Sequence, residues 1–585
     1  MIWFLQDIGR LNRERQEFEA LQVRAPWMSP PVWRFENGAL EVDLDVKAGE
    51  QVYPLRLRYP SAFPACPPSV FPRDLEVRWS THQYGVGGEL CLEIGPDNWR
   101  PETAGAQMIE SAHRLLEAER PGSVAAPARE VPSRHRLTPG QELRGIYDRF
   151  LLTSGLLDRL SKCGPGTVLR MDVLLVGRGL ARTAVIVGLR QAGEADWRDP
   201  EVPWQALARH QYVWSGLAVR VPDGAPRPSV GSTADLSGLL ASLGTPVPED
   251  SLSTRGHEFF LFFGPGIEPT LVWPLSSGGR VVTHDPVPAE TPGASRLDPG
   301  HENLSARRVG VVGAGSVGSK VATSLARTGV GRFLLLDGDV LLPGNLVRHD
   351  LDWASVGGHK VDELAWRLAV VRPGADISIR RAILTGQEAS ASVAAALDDL
   401  ASCDLIVEAT ADGRIFGLVG SHAAARAKPM AWAEVLEGGI GGLVARSRPG
   451  QEPTPLTMRS RILDWCSGMG EPWDRTGSGY ASTGDDGTPL VADDADVGVI
   501  AAHLARLAID TLLGRTPSEF PHAAYFVGLR RSWIFREPFD THPVEVGGPS
   551  EEPGRAETPD EVVRENVAFL VSLLPDQTDA TDPSA

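Results

Sequence analysis

The chain has 585 residues, 42% of them hydrophobic and 23% charged, with a formal net charge of −18. That length supports several domains of ordinary size, and the balance is that of a soluble globular protein. The acidic excess argues against direct binding to nucleic acid or to an anionic membrane. No run approaches the roughly 18 to 20 apolar residues of a membrane helix.

The opening MIWFLQDIGRLNRERQ lacks the basic, apolar and small-residue order of a secretory signal, so the expected location is cytoplasmic. Cysteines stand at 66, 91, 163, 403 and 466, and none forms a CxxC pair. A disulfide framework and a structural zinc site are therefore not expected, and each thiol is judged by its surroundings.

Taken in order, the first block (1–120) opens on a charged helical segment, Ile8 to Leu21. Alternating runs such as ALEVDLDV and YPLRLRYP follow as strands, and a helix from Ala106 to Glu119 closes the block. This order is α+β in character. The stretch 121–141, rich in proline and glycine, reads as a linker. A second block (142–285) shows strands at VLRMDVLLVG, TAVIVGL, LAVRVP and EFFLFFG, which makes it a β-rich middle domain without a chemical motif. A second linker (286–304) leads to a third block (305–545), where strands and helices alternate as in a parallel sheet covered on both faces. The tail (546–585) is acidic and expected to be largely flexible, with one apolar stretch, VAFLVSLLP.

In the third block, VGVVGAGSVGSKVA sets Gly313, Gly315 and Gly318 as GxGxxG between an apolar strand and a helix. Such glycines let a phosphate approach the backbone, and the helix N-terminus favours the anion. Asp337, at the end of RFLLLD, is placed to hold a ribose hydroxyl. A nicotinamide-binding enzyme would look the same to this point. The next residues add Asp339, Asn345, Arg348 and, in VGGHK, Lys360. Two cations and an asparagine suit a triphosphate whose charge shifts during reaction.

DGDVLLPGNLVR followed by GxxK resembles the adenylation domain shared by ThiF-type and ubiquitin-activating enzymes. The resemblance implies a Rossmann-like fold, ATP and Mg2+ as cofactors, and activation of a protein's C-terminal carboxylate as an acyl-adenylate. It assigns Gly313, Gly315 and Gly318 to the phosphate loop, Asp337 to the ribose, and Asn345, Arg348 and Lys360 to the surroundings of the triphosphate, with Asp339 beside them as a further cofactor-binding residue. The family's magnesium aspartate lies in a DxTDN-like segment. Here EATAD displaces the acid to Asp412, or Glu408 substitutes.

The first block resembles ubiquitin-conjugating enzymes. YPSAFPACPPSVF is similar to their proline signature, and GELCLEIGPDNWRP to their active-site loop with its WxP. The likeness implies that Cys91 carries a thioester and that Asp97 orients the attacking amine. Their HPN tripeptide is HQY here, with Tyr84 where asparagine would stand. A buried core thiol is the other reading of Cys91. Cys466, in ILDWCSGMGEPW, is expected in irregular chain before the last helix, as a relay thiol. If it is incidental, the acyl group passes straight from adenylate to Cys91. Cys66 and Cys403 read as structural, and Cys163 has no case either way.

The order conjugating-like domain, linker domain, activating-like domain resembles the fused enzymes of bacterial ubiquitin-like conjugation, as found in anti-phage operons with cyclic-oligonucleotide signalling. That implies a partner protein with a flexible C-terminal glycine, either a ubiquitin-like protein or a cyclic-nucleotide signalling enzyme. It further implies a target protein or other amine, a partner isopeptidase and a homodimer. Two other readings stay open: an adenylyltransferase for sulfur transfer or peptide modification with an N-terminal docking module, and a non-catalytic scaffold.

Overall fold

The computed structural model describes residues 2–79, 82–84, 87–119, 139–177, 179–209, 211–247, 252, 259–275, 279–288, 297–384, 389–469, 482–483, 489–549 and 559–573. Most of the first expected linker, part of the second and parts of the tail lie outside them. The chain divides into two compact units, Met1–Arg144 and Gly145–Ala585.

In the first unit the charged segment becomes the helix Ile8–Arg24, started by Asp7, whose side chain accepts from the Arg10 N–H. Strands β1 (Val32–Glu36), β2 (Ala39–Ala48), β3 (Gln51–Arg58) and β4 (Ser69–Pro72) form an antiparallel meander. A short hairpin of β5 (Gln83–Tyr84) and β6 (Glu89–Leu90) precedes Cys91. The helix Gly105–Glu119 lays Ile109, Ala112 and Leu116 against Val42, Leu44 and Leu57 of the sheet. Arg10 and Glu14 are buried yet fully engaged: Glu14 accepts from the Tyr59 hydroxyl and the Gly105 N–H, each at 2.7 Å. Two helices on one face of an antiparallel sheet make this unit α+β.

The middle block is a barrel. β7 (Asp148–Leu152), β8 (Val168–Val176), β9 (Arg182–Arg190), β10 (Trp197–Arg198), β11 (Val213–Arg220), β12 (Phe259–Gly264), β13 (Ile267–Pro274) and β14 (Val281–Pro288) form one sheet, ordered β10-β9-β7-β14-β13-β12-β11-β8. β8 also pairs along β9, which closes the sheet on itself. The run FFLFFG is buried on both faces. Phe259, Leu261 and Phe263 join one core, while Phe260 and Phe262 pack under the helix Thr233–Ser242.

The third block is doubly wound. β15 (Arg308–Val312), β16 (Arg332–Leu336), β17 (Asp376–Arg380), β18 (Leu405–Glu408) and β19 (Met430–Val435) are parallel. β20 (Gly441–Ser447), the small pair β21 (Ser482–Thr483) and β22 (Pro489–Leu490), then β23 (Ala524–Gly528) and β24 (Thr541–Val544) follow. The main sheet reads β17-β16-β15-β18-β19-β20-β23-β24. Its strand order reverses at β15, and the carboxyl end of that strand is where such sheets bind ligands. One face packs on the helices Ser316–Thr328 and Asp494–Leu513, the other on Gly413–Ala425 and Pro455–Gly468. The architecture is mixed α/β and multidomain throughout.

The tail contains a helix, Asp560–Ser572, whose apolar residues, including Phe569 and Leu570, are exposed. One expectation changes. Cys466 lies not in irregular chain but on the last turn of the helix Pro455–Gly468, buried at 1% exposure. Its neighbours Met458 and Ile462, at i−8 and i−4, share its buried face, so the helical period carries the thiol inward. The stretch that follows it lies largely outside the described residues. Among those residues no helix is long and apolar enough to cross a membrane.

Candidate nucleotide and thiol sites

β15 ends at Val312, and Gly313 turns the chain at φ +90°, a conformation side chains rarely adopt. A Cβ on Gly318 would stand 1.9 Å from the Gly313 carbonyl oxygen, so the helix start packs on the loop only with glycine there. Among the described residues, a Cβ on Gly315 would meet nothing within 4 Å. Asp337 joins two segments: Oδ2 accepts from the Ala314 N–H and Oδ1 from the Asp339 N–H, both at 2.8 Å.

A cavity of about 310 Å³ opens there, lined by Gly313, Gly315, Asp337, Asp339, Lys360, Thr410 and Asp412 among others. Lys360 begins the helix Lys360–Val371, and its Nζ donates to Asp339 Oδ2 at 2.8 Å. Asn345 and Arg348 stand on the 3-10 turn Pro343–Val347 and just after it, outside that wall. The Asn345 side chain accepts from the Leu342 N–H at 2.9 Å and so shapes the turn.

Sequence reasoning missed His349. It is buried, its Nε2 bonds to the Ala314 carbonyl at 2.7 Å, and its Nδ1 accepts from the Leu351 N–H at 3.2 Å. A carbonyl only accepts and an N–H only donates, so the ring is neutral with its proton on Nε2. Burial is the main cause that holds its pKa below the usual histidine value; the Ala314 carbonyl opposes it and Lys360 adds to it. The signal was its adjacency to Arg348 in the motif.

Asp412 caps the helix Gly413–Ala425, accepting from the Arg414 N–H at 2.8 Å, and its carboxylate also pairs with the Arg414 guanidinium. The Arg414 hydrogen bond leads the causes that lower its pKa to about 2. Glu408 is wholly buried and accepts from the Thr410 N–H and hydroxyl, and burial raises it to about 7. The residues fit a nucleotide: the glycine cradle is open, and Ser316 keeps a buried hydroxyl without a partner among the described residues. Among those residues no three acidic, histidine or cysteine side chains cluster as a metal cage. Magnesium here would take Asp412 as a ligand beside phosphate oxygens, as this ion commonly does.

In the first unit Cys91 is partly exposed, and its N–H donates to the His82 carbonyl at 2.7 Å. The loop around it is pinned at several points. The Glu93 N–H donates to Ser111 Oγ at 3.0 Å, and Asn98 bridges the Gly95 N–H and the Glu93 carbonyl. The Trp99 indole donates to the Pro64 carbonyl at 2.7 Å, which joins the WxP to the proline signature. Gln83 takes the Trp79 N–H at 2.6 Å and gives to the Gly88 carbonyl at 2.8 Å. Tyr84 is pushed up to about 12, first by burial, then by the charges of Glu89 and Cys91. Its phenol therefore stays protonated beside the thiol. Asp97 is exposed on the same loop. By contrast, burial raises the Cys466 thiol to about 11 and the Cys403 thiol likewise.

Residues 295–525 match the model of the ThiF family. They form a ThiF-family domain. The chain is 26% identical over 338 residues to protein y4qC of Sinorhizobium fredii, covering 53% of this chain and 55% of that protein. Over 73 residues it is 41% identical to the ATP-dependent ubiquitin transferase-like protein Cap2 of Enterobacter hormaechei, 12% of each chain. The solved structure of E. coli MccB with ATP matches 43% of this chain and 67% of that one, at 16% identity and a TM-score of 0.32. The chain thus spans about half the length of y4qC and about an eighth of Cap2 in these matches. The cavity wall, from Gly313 to Asp412, lies inside the ThiF domain.

Proposed function

We propose that the chain is an ATP-dependent enzyme that activates the C-terminal carboxylate of a partner protein, ending in glycine, and conjugates it to an amine. The observation that carries this is the cavity in the ThiF domain, where an open glycine cradle faces Asp337, Asp339 and Lys360. In this reading the ThiF domain orients ATP through the loop amides, Asp337 holds the ribose, and Lys360 steadies phosphate charge. Asn345 and Arg348 close on the phosphates from their turn. Bound magnesium supplies further neutralisation of the triphosphate, with Asp412 as the chain's own ligand.

A carboxylate oxygen of the partner attacks the α-phosphorus, and the bond to pyrophosphate breaks. The Cys91 thiolate then attacks the acyl carbon and AMP leaves, forming a thioester. An amine displaces the thiol, which regains a proton, and Asp97 orients that amine. The N-terminal unit is read as ubiquitin-conjugating-like on the strength of the pinned Cys91 loop and the Trp99–Pro64 link. Cys466, expected as a relay, is buried with a raised pKa, and this favours direct transfer from adenylate to Cys91. The biological setting proposed is bacterial anti-phage defence, with the enzyme acting as a cytoplasmic homodimer.

ATP–pyrophosphate exchange with candidate partners, followed by intact mass under non-reducing conditions, tests the reading. A thiol-sensitive adduct at Cys91 supports it. Exchange that survives Cys91→Ala without any adduct in the wild type would reassign the chain to adenylation alone, and no exchange with any partner would leave a scaffold.

A further inference from the structure

The helix Lys360–Val371 is gripped from outside the ThiF domain. It packs on the barrel's short helix Trp204–Ala208. Arg209, the next barrel residue, reaches Glu363 with both terminal nitrogens, at 3.1 and 2.6 Å. The Trp366 indole donates to the Ala206 carbonyl at 2.8 Å, and the Arg209 guanidinium lies 5.8 Å from the Trp366 ring.

Glu363 is the hinge of the contact. It is 5% exposed, and a Cβ on Gly358 would stand 2.7 Å from its Cγ, so its stem packs on the turn that leads into Lys360. That turn is tied to the acidic segment, because the Leu341 N–H donates to the Gly358 carbonyl and the Lys360 N–H to the Asp339 carbonyl. One carboxylate is therefore held between the barrel and the turn that aims Lys360 into the cavity. Glu363 and Lys360, three apart, lie on one face of the helix.

We infer that the barrel is a clamp on the nucleotide cavity: Arg209, Glu363 and Trp366 are positioning residues that fix Lys360 against Asp339. The clamp gives the middle domain a role, and it rests on the reading of the cavity as an ATP site. Charge-assisted paired hydrogen bonds suit this task, since they fix angle as well as distance.

The test follows mant-ATP binding to the full chain, with amide hydrogen exchange over residues 358–365. Arg209→Ala and Trp366→Phe each raise the Kd about tenfold, a usual size for coupling between sites. Both speed exchange over 358–365, and Arg209→Lys recovers part of the loss. In a Lys360→Ala background, Arg209→Ala adds nothing if it acts through that lysine. Unchanged binding and exchange in the two variants overturns the inference. So does full additivity with Lys360→Ala, the mark of a general loosening. A wild-type chain that ignores mant-ATP with and without magnesium sinks the ATP reading instead, and the exchange data then decide on the clamp alone.

Discussion

His349 bonds through Nε2 to the carbonyl of Ala314, the residue between the first two glycines of the phosphate loop. That bond ties the glycine loop to the segment just after Arg348. Replacing His349 with alanine leaves a buried acceptor unpaired, which costs about 1–3 kcal/mol. The sign of the pH effect follows from the tautomer. Because folding lowers the pKa of His349 below 6.5, the unfolded chain binds the extra proton, and stability declines as pH falls from about 6.5 toward the depressed value. The charged groups facing the ring are Lys360, Asp350 and Lys320. Calorimetry between pH 7.5 and 5 should show a steeper fall in Tm for the wild type than for His349→Gln; parallel curves would show that the imidazole is not the titrating group.

Gly315 and Gly318 make a contrasting pair. Gly318→Ala drives a methyl group into the Gly313 backbone and should lower both stability and ATP binding. Gly315→Ala meets no atom of the described residues within 4 Å, so the stability of the fold should stay within about 0.5 kcal/mol of the wild type's. Its methyl group should still obstruct the phosphates. Melting curves and nucleotide titrations on both variants check this, and a Gly315→Ala chain that binds ATP normally would refute the cradle.

The doubly wound sheet and its loop were legible because GxGxxG, the acid after the second strand and the strand–helix alternation all reflect local backbone needs. The closure of the middle barrel was not legible, since pairing of β8 with β11 and of β14 with β7 depends on contacts distant in sequence. Burial of Cys466 was missed for a different reason. The thiol was expected in irregular chain before the last helix, whereas Met458, Ile462 and Cys466 share one helical stripe. His349 carried a signal only by position, and nothing in the residue type announced that its ring would reach Ala314.

Cys91 and Cys466 should separate cleanly. Cys91→Ser should abolish the thiol-sensitive adduct and, where serine is acylated, give one that resists reductant. Cys466→Ala removes a buried sulfur and should cost about 1–2 kcal/mol of stability, with adduct formation at Cys91 retained. Intact mass on both variants reads the result. Loss of the Cys91 adduct in a folded Cys466→Ala chain would restore the relay.

His284 offers a measurement on the barrel by itself. It is fully buried, with Phe259 and Trp273 ring centroids at 5.8 and 6.4 Å. Burial pulls its pKa to about 4; Asp148 opposes the shift and Arg182 adds to it. An unfolded histidine takes a proton near pH 6.5, so the barrel loses stability as pH falls from about 6.5 to about 4, by up to about 3 kcal/mol across the window. His284→Phe keeps an aromatic ring of similar size without a titratable nitrogen. Its acid-side stability should therefore exceed the wild type's, while the two converge above pH 7 apart from a constant packing difference. Denaturant midpoints at pH 4.5, 6 and 7.5, read by tryptophan fluorescence, settle the point, and a gap between the two proteins that does not widen with acid would show that His284 gains its proton without unfolding the barrel.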